Sequence, residues 1–256
     1  MIKQQRGATL IVVLLILLAI LVLGTLAVKQ GLMSLNIATN SQAQQLLIQN
    51  SDSAYFNIEK EDNIIQALSS SGLFGYISGA DDRNKELVFC YRGAEPNFFD
   101  INRASIIYWE AGKSAPTNNE FGLDGYCDAS KNETRNFFTS GRKVVMTQVA
   151  VKFSSIAQND PFFGAQFGTD EELVKFDRSK AAKVFAVSVM PTLSNASSTD
   201  INSCFANHMS EVTIPEGTTV PDEDVDNAKS VTDCLSDLNV PFTSHVTEYV
   251  IVQDFV

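Results

Sequence analysis

An uncharged apolar run near the N-terminus constrains this chain more than any other feature. It extends from Gly7 to Val28, is rich in Leu, Ile, Val and Ala, and is bounded by Arg6 and Lys29. An α-helix needs about 20 apolar residues to cross a hydrocarbon core about 30 Å thick. The sequence therefore predicts that residues 8–28 form a helix that lies in a membrane or in an equally apolar assembly.

Two ordinary interpretations of this run differ in what happens to it. A cleaved secretory signal has an apolar core of about 7–15 residues that ends at a small-x-small cleavage site. This run is longer, and the small residues Ala19, Gly24 and Ala27 lie inside it. A plain signal anchor fits the length of the run and the basic head, which contains Lys3 and Arg6. The pattern therefore disfavours a cleaved secretory signal and leaves an anchor open.

The junction between the basic head and the apolar run carries a more specific pattern. Residues 6–11 read RGATLI. This junction resembles the class III signal of type IV pilins and of type II secretion pseudopilins. The resemblance implies that a prepilin peptidase removes residues 1–7 as a leader peptide by cutting between Gly7 and Ala8. It also implies that Ala8 becomes the methylated N-terminal residue and that the apolar helix stays on the mature protein.

One position departs from the usual pilin pattern. Most pilins have Glu as the fifth mature residue, thought to pair with the N-terminal amine of a neighbouring subunit, whereas this chain has Val12. Valine can neither carry charge nor accept a proton. The missing Glu is typical of PilX-type minor pilins and of K-type minor pseudopilins, and it implies a place at the filament tip. The RGATLIV opening is most similar to the PilX type.

Helical periodicity continues beyond the apolar run. Apolar residues recur mostly at three- and four-residue steps, and they include Leu32, Leu35, Leu46, Leu47, Ala54, Tyr55, Ile58, Ile65 and Leu68. No proline precedes Pro96, so nothing obliges the helix to stop earlier. The pattern predicts one helix from about Thr9 to about Lys60, continuing to Leu68, in which residues 29–68 form an amphipathic half. The alternative is a break near Gly31 followed by a separate amphipathic helix.

The remaining residues, 69–256, are expected to form one globular domain. Strand patterns occur at 86–91, 104–110, 143–154, 183–190 and 246–256. Only one face of 143–154 is apolar, so we expect that strand to be half-buried. Turns or loops are expected at 112–136, at 159–168 and from Pro191 to Cys204, and short helices at 170–177 and 228–238. The predicted fold class is α+β: a long N-terminal helix packed on an antiparallel sheet, as the pilin resemblance also implies.

The four cysteines predict disulfide bonds. They are Cys90, Cys127, Cys204 and Cys234. An even count beyond a membrane-crossing segment favours pairing in an oxidising compartment. Three pairings are possible, and we favour the sequential one, Cys90 with Cys127 and Cys204 with Cys234, because it closes two loops of moderate length. Zinc is disfavoured because no CxxC or His-x-x-x-His spacing is present.

Charge and motifs argue against several kinds of function. The net charge of −11 disfavours nucleic acid as a direct partner. His208 and His245 have no Ser, Cys or carboxylate partner at a catalytic spacing, and there is no GxSxG, P-loop or HExxH motif. The acidic run at 222–226 has the clustered carboxylates that could bind calcium, but it lacks the glycine and distal glutamate of an EF-hand loop, and charge runs are usually solvated. We therefore expect no enzyme activity, no cofactor and no metal site.

Together these patterns predict a minor type IV pilin of the PilX type, which helps to initiate pilus assembly and forms part of the tip. The expected partners are other minor pilins, the major pilin, prepilin peptidase and a tip adhesin. The expected location is the inner membrane, with a cytoplasmic N-terminus and a periplasmic domain, and later the pilus tip. The nearer alternative is a K-type pseudopilin, and the further one is a signal-anchored periplasmic enzyme or receptor.

Overall fold

The computed structural model describes residues 6–77, 82, 84–93, 95–130, 137–139, 144–154 and 180–251. Contacts within the chain divide it into two compact units, Met1–Gln45 and Leu46–Val256. The turn predicted at 159–168 and the helix predicted at 170–177 lie outside the described residues, as do the first five residues of the predicted leader.

The first helix, α1, spans Arg6–Glu59. This confirms the prediction of one helix from about Thr9 to about Lys60, without a break near Gly31. The further continuation to Leu68 is wrong, because Lys60 is extended, with φ −65° and ψ 128°, and a separate helix α2 spans Glu61–Ala67. Acidic residues disfavour the C-terminal end of a helix and favour the N-terminal end. Glu61 and Asp62 are therefore better placed in the first turn of α2 than as an extension of α1.

Five antiparallel strands form a single sheet. They are β1 (Lys85–Tyr91), β2 (Ala104–Tyr108), β3 (Met146–Ser154), β4 (Lys180–Val189) and β5 (Phe242–Ile251). The spatial order is β2-β1-β3-β4-β5. The predicted strands are confirmed where the structure describes them, with ends that differ by a few residues. Together with α1 they give the predicted α+β architecture.

One face of the sheet packs on the C-terminal part of α1. Ala54, Tyr55 and Ile58 of α1 share a buried cluster with Val149 and Val151 of β3. The cluster also takes in Leu73, Phe74 and Ile77 from the turn after α2 and Phe89, Ile106 and Val184 from other strands. Alternate residues of a strand point to the same face, so β3 presents Val149 and Val151 to the helix together.

The opposite face of the sheet is covered as well. Two short helices, α3 (Ser198–Asn207) and α4 (Val231–Asp237), contribute Ile201, Phe205 and Leu235 to a second buried cluster. The prediction of a loop from Pro191 to Cys204 is therefore wrong in its second half, because α3 begins at Ser198. The prediction that β3 is half-buried is also wrong: Gln148 and Lys152, on its more polar face, are as buried as its valines.

Two disulfides join this covering layer. Cys90 of β1 pairs with Cys127 in the loop after β2, and Cys204 of α3 pairs with Cys234 of α4. This is the sequential pairing that the loop lengths favour. The loop around Cys127 lies directly on the sheet, and a side chain at Gly125 would approach the carbonyl oxygen of Val88 to 2.6 Å. Glycine therefore allows the backbone contact at this point.

Candidate functional site

The apolar part of α1 in the first unit is the first candidate site. The large apolar side chains from Leu10 to Val28 are 49–68% exposed. The hydroxyl of Thr25, a polar group inside the run, donates to the carbonyl oxygen of Val22 at 2.9 Å. Among the described residues, one helix is long and apolar enough to cross a membrane. An exposed apolar surface of this length needs lipid or other helices around it, and the satisfied hydroxyl suits such surroundings.

The predicted processing junction lies at the start of this helix. The backbone of Gly7 and Ala8 belongs to the first turns of α1, but their side chains lie outside the described ones. Val12, at the position where most pilins have Glu, is 53% exposed on the apolar surface. Nothing within 4 Å would meet a side chain at Gly24. With Ala19 and Ala27, Gly24 gives this helix small residues at which another helix can approach closely.

The C-terminal part of α1 has two different faces. Leu47, Ala54 and Ile58 are buried on the inner face, as the predicted apolar stripe requires. On the outer face Ile48 and Phe56, eight residues apart, remain exposed, and Phe56 is 72% exposed. Residues spaced by four lie on the same side of a helix. The helix therefore packs on its own sheet with one face and leaves these two apolar side chains exposed on the other.

Tyr55 connects α1 to the edge of the sheet. Its hydroxyl lies 2.8 Å from the carbonyl oxygen of Val184 in β4 and 2.7 Å from that of His245 in β5, to which it donates. Burial raises the pKa of Tyr55 to about 12, so the hydroxyl keeps its proton for these contacts. The ring also meets the His245 ring edge-on, with centroids 5.2 Å apart. These contacts fix α1 against β4 and β5.

We expect Tyr55→Phe to lower the free energy of unfolding by about 1–2 kcal/mol, because it removes a buried hydrogen bond. Ser51→Ala is the matched control on the same helix, since the Ser51 hydroxyl is buried and has no hydrogen-bond partner among the described residues. We expect Ser51→Ala to be neutral or stabilising. Urea unfolding of both variants checks this, and equal losses of stability would contradict the role of the Tyr55 hydroxyl.

A row of charged residues crosses the opposite face of the sheet. Pairing places Glu86 of β1 beside Lys152 of β3, Lys152 beside Lys183 of β4, and Lys183 beside Glu248 of β5. Glu86 is fully buried, and its carboxylate accepts hydrogen bonds from the backbone N–H groups of Ser210 at 2.7 Å and Glu211 at 2.8 Å. The row therefore binds a loop segment as well as joining four strands.

The lysines of the row hold the same loop segment, residues 210–213. The ammonium of Lys152 donates to the carbonyl oxygen of Glu211 at 3.0 Å and to the hydroxyl of Thr213. Lys183 forms an ion pair with the Glu211 carboxylate at 3.0 Å. Burial raises the pKa of Glu86 to about 7 against the lowering effect of its hydrogen bonds and of Lys152, and burial lowers the pKa of Lys152. Sequence reasoning missed this row, although its charges stand within the predicted strands.

The two histidines have different surroundings. Nδ1 of His208 lies 3.1 Å from the carbonyl oxygen of Lys229, and burial lowers the pKa of the His208 imidazole. His245 lies 3.5 Å from the carboxylate of Asp52. No serine, threonine or cysteine side chain is hydrogen-bonded to either ring in the part of the chain that is described.

The acidic run at 222–226 belongs to a 3-10 helix, Asp222–Ala228. Its member Asp226 forms an ion pair with Lys229 at 2.7 Å, and Lys229 also reaches Asp237 at 2.6 Å. Hydrogen bonding to Lys229 lowers the pKa of Asp226. Within the described residues, no group of three acidic, histidine or cysteine side chains is placed to hold a metal ion.

Comparisons with known proteins returned no matching family, no similar characterised protein and no similar solved structure.

Proposed function

We propose that the protein is a minor type IV pilin, similar to the PilX type, which helps to initiate pilus assembly and stays in the tip complex. It acts through packing against other subunits rather than through chemistry on a small molecule. The proposal rests on the junction RGATLI at 6–11, followed by the single helix Arg6–Glu59.

The two halves of α1 support this proposal. The half from Leu10 to Val28 is apolar and exposed, which suits storage in a membrane followed by packing in a helical bundle. The other half is buried against the sheet on one face and carries Ile48 and Phe56 on the other. A subunit of a helical filament needs both features: an apolar segment that exchanges lipid for protein neighbours, and a folded domain fixed to it.

The proposed mechanism begins in the inner membrane. The basic head keeps the N-terminus in the cytoplasm, and the acidic domain lies in the periplasm. Prepilin peptidase cuts after Gly7, and Ala8 is methylated. The apolar helix then moves into the filament core, where Ala19, Gly24 and Ala27 allow close approach of neighbouring helices. Partners are other minor pilins, the major pilin and a tip adhesin. Val12 cannot pair with the amine of a subunit above it, which suits a place at the tip.

The N-terminal peptide of the protein, isolated from membranes or from sheared pili, provides the first test. We expect its mass to correspond to a chain that starts at Ala8 and carries one methyl group. Gly7→Val should leave the leader uncut, whereas Gly24→Val, the same change within the apolar helix, should leave processing intact. A mature protein that retains Met1 would make the segment an ordinary signal anchor and would overturn the proposal.

A second readout separates a pilin from a K-type pseudopilin, since both would start at a methylated Ala8. Deletion of the gene should reduce the number of surface pili, and it should leave the secretion of folded proteins through the outer membrane unchanged. Loss of secretion with normal piliation would instead assign the chain to the secretion machine.

A further inference from the structure

A cleft in the second unit lies between α2, the turn after it, and the segment at 97–101. Its volume is about 340 Å³, within the range of about 300–1,000 Å³ that is usual for small-molecule sites. Gly72 allows the turn to fold back on α2, because a side chain there would meet the carbonyl oxygens of Gln66 and, at 2.6 Å, Ala67. The cleft is thus built by a local backbone contact and is independent of the α1 surface proposed for filament packing.

Aromatic and aliphatic side chains form one part of the lining. Phe98 and Phe99 line the cleft together with Ile58 and Leu73. Both phenylalanine rings pack edge-on against Phe89 of β1, with centroids 5.3 and 5.2 Å apart. This packing holds them in place while they stay half-buried. The cleft therefore offers fixed apolar surface to a ligand.

Neutral polar side chains form the other part of the lining. Gln66, Ser71 and Asn97 line the cleft, and their side chains have no hydrogen-bond partner within the described part of the chain. By contrast, the Asn63 amide donates to the carbonyl oxygen of Asn57 at 2.7 Å, and the Asp100 carboxylate accepts from the N–H of Asn102 at 3.0 Å. Two amides and one hydroxyl are therefore available to a ligand as both donors and acceptors.

The charge of the lining restricts the ligand. Among the described residues that line the cleft there is no lysine, arginine or histidine, and the one charged side chain is the Asp100 carboxylate. Phosphate and carboxylate ligands need cationic partners, above all the paired donors of arginine. The described lining therefore offers no cationic partner to an anionic ligand, and its amides and hydroxyl favour a ligand that carries hydrogen-bonding groups as well as apolar surface.

We propose that this cleft binds a neutral pyranose sugar. A pyranose ring has apolar faces of C–H groups and an edge of hydroxyls, and the cleft has fixed phenyl rings next to amides and a hydroxyl. The electron-rich faces of Phe98 and Phe99 suit the C–H groups. Gln66, Ser71 and Asn97 suit the sugar hydroxyls, because both sets of groups can donate and accept hydrogen bonds.

Saturation-transfer NMR on the full chain tests this proposal. The protein is held in micelles of an amine-oxide detergent, because detergents with glucoside or maltoside head groups would compete for the site. The probes are the methyl glycosides of glucose, galactose, mannose, N-acetylglucosamine and N-acetylgalactosamine. We expect at least one to bind with a Kd on the order of 1 mM, the affinity that a well-bound ligand of this size reaches.

Variants locate the binding. Gln66→Ala combined with Asn97→Ala should weaken it about tenfold or more, since each lost neutral hydrogen bond is worth a factor of several. Gln49→Ala is the matched control, because Gln49 is an exposed helical amide outside the cleft. If the double variant fails to fold, Ser71→Ala tests the same site, because Ser71 is exposed and its replacement should not affect folding. We expect it to weaken sugar binding by a smaller factor. No transfer to any of the sugars, or equal binding by the cleft variants and the control, would overturn the proposal.

Discussion

Replacing both Cys204 and Cys234 by alanine should lower the free energy of unfolding by about 4 kcal/mol. This bond closes a loop with a sequence separation of 30 residues, and the loop-entropy estimate for that length is about 4 kcal/mol. Alanine is the right substitute because Cys204 is fully buried, and a serine hydroxyl there would need a hydrogen-bond partner. Small domains are stable by only about 5–15 kcal/mol, so this is a large fraction of the total.

The two helices that the bond joins are also short, which makes them depend on it in the folded protein. Helix α3 has 10 residues and α4 has 7, below the length of about 12–15 residues at which isolated helices become marginal in water. They depend on the bond and on the packing of Ile201, Phe205 and Leu235 against the sheet. Loss of the bond therefore weakens the covering layer of the folded protein. It also raises the conformational entropy of the unfolded chain.

Urea unfolding at neutral pH measures this effect. With a slope of roughly 2 kcal/mol per molar, typical of such domains, the midpoint should fall by roughly 2 M. A reducing agent provides the control: it should destabilise the native protein more than the double-alanine variant, which keeps only Cys90–Cys127 to lose. An unchanged midpoint in the variant would show that α3 and α4 are held by packing alone.

Much of the sheet and of α1 could be predicted from local sequence, because their own apolar residues show the spacing of a strand or of a helix. β4 is the clearest case, since Val184 and Ala186 face the helix while Phe185 and Val187 face the covering layer. The same holds for α1, where helical spacing continues to Ile58. Ile65 is the exception: it fits the spacing but is exposed, because the break at Lys60 turns α2 away from that register.

The helix α3 was missed because its composition is typical of loops. Ser, Thr and Asn are weak helix formers, since their side chains compete for backbone hydrogen bonds. The sequence nevertheless carried a signal, because Ser197 stands three residues before Asp200, a spacing typical of a helix start; in the structure the Ser197 hydroxyl accepts from the N–H of Asp200. Ile201, Cys204 and Phe205 then follow at helical spacing and are buried. The cap and the spacing together were a better guide than composition.

The burial of the charged row could not be predicted from any one segment. Lys152 stands in a strand whose pattern indicates a solvent-facing side, and the loop that covers it, residues 210–213, follows about sixty residues later. Only the pairing of strands brings Glu86 and Lys152 together, and only the loop removes water from them. Such a site depends on tertiary contacts that leave no local pattern.

The buried row also gives the second large effect, for which we expect Lys152→Met to lower the free energy of unfolding by about 3 kcal/mol. The change removes the charge-assisted hydrogen bonds of the Lys152 ammonium to the Glu211 carbonyl oxygen and the Thr213 hydroxyl, and it takes away the neighbouring cation that lowers the pKa of Glu86. Methionine keeps most of the side-chain volume, so the loss reports mainly on charge and on the contacts to Glu211 and Thr213. Glu86 then remains fully buried without its cation, although it keeps the two backbone N–H groups of the loop.

The pH dependence distinguishes this cause from a simple loss of packing. Burial already raises the pKa of Glu86 above its ordinary value, to about 7, and Lys152 lowers it; without Lys152 the pKa should rise further. A carboxyl group whose pKa is raised in the folded protein stabilises it below the unfolded pKa, and that stability is lost as the pH rises through the folded pKa. The variant should therefore lose less stability at pH 5 than at pH 8.

Adding Glu86→Gln to the Lys152→Met variant completes the test. The neutral amide needs no cation, so the double variant should regain part of the stability that Lys152→Met loses at pH 8, and its stability should no longer fall as the pH rises from 5 to 8. The recovery should be incomplete, because only one of the two amide atoms of glutamine can accept a hydrogen bond from the N–H groups of Ser210 and Glu211. A loss in Lys152→Met that is the same at both pH values, with no recovery in the double variant, would assign the effect to packing and to the lost contacts of Lys152 rather than to the buried charge.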